Sequence, residues 1–180
     1  MFIEEIGRHL AVSSIDELDK SIKRDKGFWN VISIREPHVP RPDCLRCAKR
    51  FHEVLCEDIE HTDPNVASRP PRTEDVVGIF RFVDAHPGEP LWVHCAAGLS
   101  RSPAVALAII VRGMVERKWD VTDIKPLVGQ AIEILVQIRP TTKPNALFLR
   151  LCLEQFLSPE QAQELTKELI NHLTLRKRSG

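Results

Sequence analysis

The stretch Val93-His94-Cys95-Ala96-Ala97-Gly98-Leu99-Ser100-Arg101-Ser102-Pro103 decides the fold. An apolar run, Leu91 to Val93, leads into it, and a second, Ala104 to Val111, leads out. The pattern reads as strand, tight loop and helix. Five residues separate Cys95 from Arg101, with His94 before the cysteine, Gly98 in the gap and Ser102 after the arginine. A tight loop at a helix N-terminus turns backbone N–H groups toward its own centre. The positive end of the helix dipole adds to them, so the loop is an anion site. The same field favours a thiolate on Cys95. A nucleophile and an anion cradle in one loop imply phosphoryl transfer through a cysteinyl-phosphate.

Each residue of the loop has an expected part. The backbone amides of Ala96, Ala97, Gly98, Leu99, Ser100 and Arg101 form the cradle. The planar, permanently charged fork of Arg101 binds two phosphate oxygens at once, which Lys does not do. Gly98 admits a left-handed or crowded backbone. His94 is expected to hydrogen-bond the loop backbone and hold its shape. Ser102 is expected to donate to the Cys95 sulfur and stabilise the thiolate as leaving group in the second step. None of this chemistry calls for a metal or another cofactor.

The segment resembles the signature loop of the cysteine-based protein tyrosine phosphatases, His-Cys-x-x-Gly-x-x-Arg-Ser. Its tail, Ser100-Arg101-Ser102, resembles the dual-specificity branch and its small bacterial-type relatives. A second segment, Ile138-Arg139-Pro140-Thr141-Thr142-Lys143-Pro144-Asn145-Ala146-Leu147-Phe148, is similar to the Arg-Pro…Pro-Asn…Phe stretch that opens the last helix of dual-specificity domains. The resemblance follows the order of elements from about Phe28 to Leu157 and implies that Asn145 supports the catalytic loop. It also implies a general acid, an Asp on a loop ahead of the nucleophile. The run Phe51 to Cys56 reads as a strand, and Glu57-Asp58 falls at its end, where the family places its acid. Asp63 lies 32 residues before Cys95, close to the family spacing, but the proline-rich stretch from Pro64 to Arg72 lengthens that count. Both stay open as candidates, Asp58 ahead.

The implied activity is a protein phosphatase acting on phosphotyrosine, with phosphoserine and phosphothreonine as further substrates. Lipid-directed members of the superfamily often carry lysines in the loop. Here Ala96, Ala97, Leu99 and Ser100 are all non-basic, which disfavours polyphosphorylated inositides. A Trp-Pro-Asp acid loop, the mark of the large tyrosine-specific branch, is missing from the chain. The competing reading is a catalytically silent module that binds a phosphorylated partner. Sulfur transfer or arsenate reduction through the same thiolate is a third, disfavoured because the His…Gly…Arg-Ser set is foreign to rhodanese-type loops.

Composition bounds the rest. The chain has 180 residues, 43% of them hydrophobic, and a formal net charge of zero, which argues for a globular fold and against nucleic acid or an acidic membrane as partner. The substrate expected is a phosphorylated protein or a small phosphomonoester; oligomeric state is not legible. No secretory signal and no apolar run near the ~20 residues needed to span a bilayer is present, so a cytoplasmic, reducing setting is expected. Cys44 and Cys47 form a lone Cys-x-x-Cys pair, weak as a zinc motif. Cys56 is a candidate partner for Cys95 in a protective disulfide.

The elements expected are a strand over Phe2–Ile6, a helix capped at Ser14 and running toward Arg24, and a strand over Trp29–Ile34. A helix from Thr73 to about His86 follows, then the central strand, the loop, and a helix to about Lys118. Helices over Thr122–Ile138 and from Asn145 past Phe156 come next, and a last amphipathic helix starts at Ser158. The fold class is α/β: a small, mostly parallel sheet flanked by helices, with a phosphatase-type phosphate loop between a central strand and its helix. Residues 1–157 form the phosphatase-like domain. Residues 158–180 form a C-terminal helix and basic tail expected to pack on the same domain, with a partner as the alternative.

Overall fold

The computed structural model describes residues 1–60, 67–117, 119, 121 and 123–178. Its sheet has five strands: β1 (Phe2–Ile3), β2 (Arg8–Ser14), β3 (Asn30–Arg35), β4 (Arg50–Leu55) and β5 (Leu91–Cys95), in the order β1-β2-β5-β3-β4. Only the short β1 is antiparallel to its neighbour; β2, β5, β3 and β4 run parallel. The central strands β3 and β5 are buried along nearly their whole length, which is why their apolar residues come in runs, Val31-Ile32 and Leu91-Trp92-Val93, rather than in alternation.

Six helices cover the two faces: α1 (Ile15–Ile22), α2 (Thr73–Asp84), α3 (Arg101–Glu116), α4 (Ile124–Ile138), α5 (Ala146–Leu153) and α6 (Pro159–Arg178). On one face α1 and a short 3-10 turn, Asp43–Cys47, close over Leu18, Ile22, Trp29, Val31, Leu45 and Trp92. On the other face α3 is the central helix. Every residue from Ala104 to Val111 is buried, and its three alanines let neighbouring backbones approach. Leu165, Leu169 and Leu173 of α6 are buried in the same core as α3, so the C-terminal helix packs on this domain. Among the described residues no helix is long and apolar enough to cross a membrane.

Several expectations need correction. The first strand stops at Ile3, where a 3-10 turn over Glu4–Ile6 begins, and the long strand β2 follows it. Arg8-His9 at one end and Ser13-Ser14 at the other disguise β2, leaving Leu10 and Val12 as its only strong inward signal. Helix α5 ends at Leu153, short of Phe156, and α3 ends at Glu116. Lys118 and Thr122, named above as helix bounds, lie outside the described residues. Helix α4 begins at Ile124, which places Pro126 in its first turn, where a missing N–H costs nothing. The Ser158 cap forms as read: Gln161 N–H donates to Ser158 Oγ (3.3 Å) and Ser158 N–H to Gln161 Oε1 (3.1 Å).

Candidate active site

Cys95 ends β5, and α3 starts at Arg101, so residues 96–100 form the loop between them at the carboxyl edge of the sheet. The register Ser14↔Cys95 sets the end of β2 and the start of α1 beside that loop. Gly98 adopts φ +68°, and a Cβ there would lie 2.4 Å from both Ser13 C and Ser14 N. Glycine is therefore required twice, by the left-handed backbone and by the close approach to β2.

The loop carbonyls are all turned outward. Ala96 O accepts from Ile15 N–H (3.2 Å), Leu99 O from Lys143 N–H (2.7 Å), and Ser100 O from the N–H groups of Asn145 (3.2 Å) and Ala104 (3.2 Å). Arg139 fills the remaining two places, donating from Nη2 to Ala97 O (3.3 Å) and from Nε to Gly98 O (3.1 Å). Its Nη1 donates to both carboxylate oxygens of Glu17 (2.8 and 2.9 Å). That carboxylate also accepts from Ser14 N–H (2.7 Å), so the cap of α1 and the clamp on the loop share one group. The Arg139 and Ser14 contacts hold the Glu17 carboxyl down at about 2. With five consecutive carbonyls engaged on the outside, no described residue accepts from the amides of 96–101.

Cys95 is buried, and Ser102 Oγ donates to its sulfur at 3.2 Å. Arg101 is buried as well. Its Nη1 donates to Cys56 O (2.7 Å) and its Nη2 to Glu36 Oε1 (2.5 Å), while Nε has no partner among the described residues. The Nε–H donor therefore remains unspent. Asp58 faces the loop from the strand β4 side. Its Oδ1 accepts from Ser100 Oγ (2.7 Å) and from Asn145 Nδ2 (2.9 Å). Asn145 also caps α5, its Oδ1 accepting from Phe148 N–H at 2.8 Å. One side chain thus joins the last helix, the loop and the acid candidate. Next to it, Glu60 accepts from Ala146 N–H (2.9 Å).

The structure brings Cys95, Arg101, Ser102, Ser100, Asp58 and Asn145 together. Asp63 lies outside the described residues. His94 is buried on β5, and neither ring nitrogen has a hydrogen-bond partner of standard geometry among the described residues. Burial drives its pKa down to about 4, opposed by its contact with the Cys95 backbone at the base of the loop. All five cysteines are free thiols; Cys44 and Cys56 are pushed up to about 11 and about 12, mainly by desolvation. No group of three metal-ligating side chains occurs among the described residues, so Cys44 and Cys47 form no zinc site there.

Sequence reasoning missed three residues of the site: Glu36, Glu17 and Arg139. Glu36 directly follows β3, beside the loop at the carboxyl edge, and that position was its only signal. Arg139 lies inside the Arg-Pro…Pro-Asn…Phe segment. Nothing local marks Glu17 beyond its place as the capping-box acid.

No family model and no curated protein matches this sequence. Solved structures do match. The phosphatase domain of Yvh1 from Chaetomium thermophilum aligns with a TM-score of 0.56 at 22% identity, covering 82% of this chain and 89% of that one. OH1 from the Orf virus, a tyrosine phosphatase with triple substrate specificity, aligns with a TM-score of 0.54 at 20% identity, covering 82% of each chain. This chain therefore shares the α/β fold of these two phosphatase structures.

Proposed function

We propose that the protein hydrolyses phosphomonoesters through a cysteinyl-phosphate, acting on phosphotyrosine in proteins and also on phosphoserine and phosphothreonine. The observation that carries this reading is the loop with five carbonyls fixed outward, a buried sulfur at its base and the unspent Nε–H of Arg101. The free amides and the Arg101 guanidinium receive the non-bridging oxygens, whose charge is spread in the transition state. The Cys95 thiolate attacks phosphorus and the bond to the leaving oxygen breaks. Asp58, with Oδ1 held by Ser100 and Asn145, presents Oδ2 to protonate that oxygen. In the second step Asp58 takes a proton from water, which attacks phosphorus, and the thiolate leaves with the Ser102 hydroxyl donating to it. Glu36 and Cys56 O hold the guanidinium of Arg101 in register for both steps.

The substrate class rests on charge. Ala96, Ala97, Leu99 and Ser100 bring no cation to the loop, and Arg139 is fully engaged by Glu17 and two carbonyls. Nothing in the loop itself is left to bind a second phosphate, which supports a singly phosphorylated side chain over a polyphosphorylated inositide. The free thiols suit a reducing, cytoplasmic setting.

The test is hydrolysis of p-nitrophenyl phosphate in reducing buffer with EDTA. Wild type is expected to turn over, and Cys95→Ser to lose at least about 10³-fold in kcat. A folded, reduced wild type that is silent but binds phosphopeptide would favour the binding-module reading instead.

A further inference from the structure

At the opposite edge of the sheet from the loop lies a cavity of about 250 Å³ between the start of β2, the end of α2 and the last turns of α3. Ser14 pairs with Cys95 and Arg8 lies six residues back along β2, so the cavity is roughly 20 Å from the sulfur. Ile6, Phe80, Val83 and Ile109 give it apolar walls. On its rim Arg112 pairs with two carboxylates, Asp84 (2.8 Å) and Glu116 (2.7 Å), while lying over the Phe80 ring.

Arg8 also lines the cavity and is unlike Arg112. It is only 7% exposed. Among the described residues its guanidinium makes one hydrogen bond, a long one of 3.4 Å to Val83 O, and no ion pair. A guanidinium carries five N–H donors, so most of its capacity faces the cavity unspent. Asp84, Glu89 and Glu116 act on it only across a distance, Arg112 opposes them, and burial lowers its pKa. None of its nitrogens is sealed from water without a partner, so the unspent donors open onto the water of the cavity. An anion entering the cavity displaces that water and pairs with the fork.

The surroundings narrow the anion. One unspent fork, flanked by the carboxylates of Asp84 and Glu116, suits a single negative charge better than a phosphate dianion. A planar carboxylate matches the fork in bidentate fashion. The walls take an apolar body, and the volume admits only a small one. We propose that this cavity is a binding site for a small organic carboxylate with a compact apolar body, anchored on Arg8. The inference does not depend on the chemistry at Cys95.

The experiment is calorimetric titration of the full chain with benzoate at pH 7 and low ionic strength. Saturable one-to-one binding is expected, weakened at least tenfold in Arg8→Met and unchanged in Arg101→Met, which excludes the carboxylate from the loop edge. Ile109→Phe fills the cavity, keeps Arg8 and should also block binding, so the test survives if Arg8→Met misfolds. No binding to folded wild type, equal binding to Ile109→Phe, or loss of binding in Arg101→Met with retention in Arg8→Met would each overturn the proposal.

Discussion

The loop at Cys95 and the acid segment opposite it are held by different kinds of force. The loop is shaped by backbone: its carbonyls are tied to α1, α3, the segment before α5 and Arg139, and Gly98 lies against the β2 backbone. These ties come from several elements at once, so the loop is as rigid as the fold. The acid segment hangs on side chains. Its start is fastened by a two-way pair, Glu57 N–H to Arg69 O (2.7 Å) and Arg69 N–H to Glu57 Oε2 (2.9 Å). Beyond that, Asp58 depends on Ser100 and Asn145, and Glu60 on Ala146. A cradle for charge in the transition state gains from preorganisation, whereas an acid that meets varied leaving groups needs only its carboxyl placed. Damage to the loop should therefore cost stability and activity together, and damage to the acid segment should cost activity alone.

The largest expected effect is Gly98→Val. The added side chain would collide with Ser13 and Ser14 at a positive φ that a β-branched residue avoids. Backbone strain and displacement of β2 should cost on the order of 3–5 kcal/mol. Thermal unfolding should report it, and oxyanion binding should be lost even where the chain still folds. A variant that melts like wild type and binds tungstate would show that the loop is not templated by β2.

Next is Asp58→Asn, in which the amide oxygen still accepts from Ser100 and Asn145. The melting temperature should stay close to wild type, as stability changes within about 0.5 kcal/mol are expected where packing is kept. Turnover of an alkyl or phenyl phosphate should fall by about 10² to 10⁴-fold, while that of an ester with a very good leaving group falls at least tenfold less. Equal losses on both would remove Asp58 from the proton-transfer role and sink the division between the two regions.

That division also explains what was legible in the sequence. Strand β5, the loop and α3 are contiguous, so their apolar runs and the Cys95–Arg101 spacing carry the arrangement. Helices α2, α4 and α6 announce themselves through periodic apolar faces, and α6 through its Ser158 cap as well. Strand β2 does not: its ends are polar because Arg8 lines a cavity and Ser13 accepts from Trp92 Nε1 (2.8 Å). Both are tertiary facts. Arg139 and Glu17 lie 122 residues apart in the chain, and neither residue type signals the other. Glu36 was likewise invisible until β3 and β5 were adjacent. The residues that do the proposed chemistry could be read, while those that hold them in place could not, because holding is defined by neighbours.

The two smallest effects are pH-dependent and fall in separate windows. His94 is neutral in the fold, with its pKa lowered from 6.5 to about 4 by burial. The unfolded chain takes up its proton first as pH falls. The associated stability is therefore complete above about pH 6.5 and is lost as pH drops through about 4, a loss of up to about 3 kcal/mol. In His94→Asn that part of the profile should flatten, whatever the variant's absolute stability. A slope between pH 6.5 and 4 that His94→Asn leaves unchanged would mean that other groups set it.

Glu17 acts lower on the scale. Its carboxyl is held at about 2, against an ordinary value of 4.5, first by Arg139 and then by the Ser14 backbone. Its contribution is present above about pH 4.5 and disappears as pH falls through about 2. The side chain is 49% exposed, so solvent screens the pair and the effect is modest. Glu89 is likewise held at about 2 and Glu53 is depressed by Arg41 and Arg35, so Glu17→Gln should reduce the acid limb of the melting profile without abolishing it. The informative reading is at pH 7, where Arg139 stays charged but loses its anionic partner. If the loop is templated from several elements, tungstate affinity should fall by less than about fivefold. A loss as large as that of Gly98→Val would instead place the whole burden of the cradle on the single bridge from Arg139 to α1.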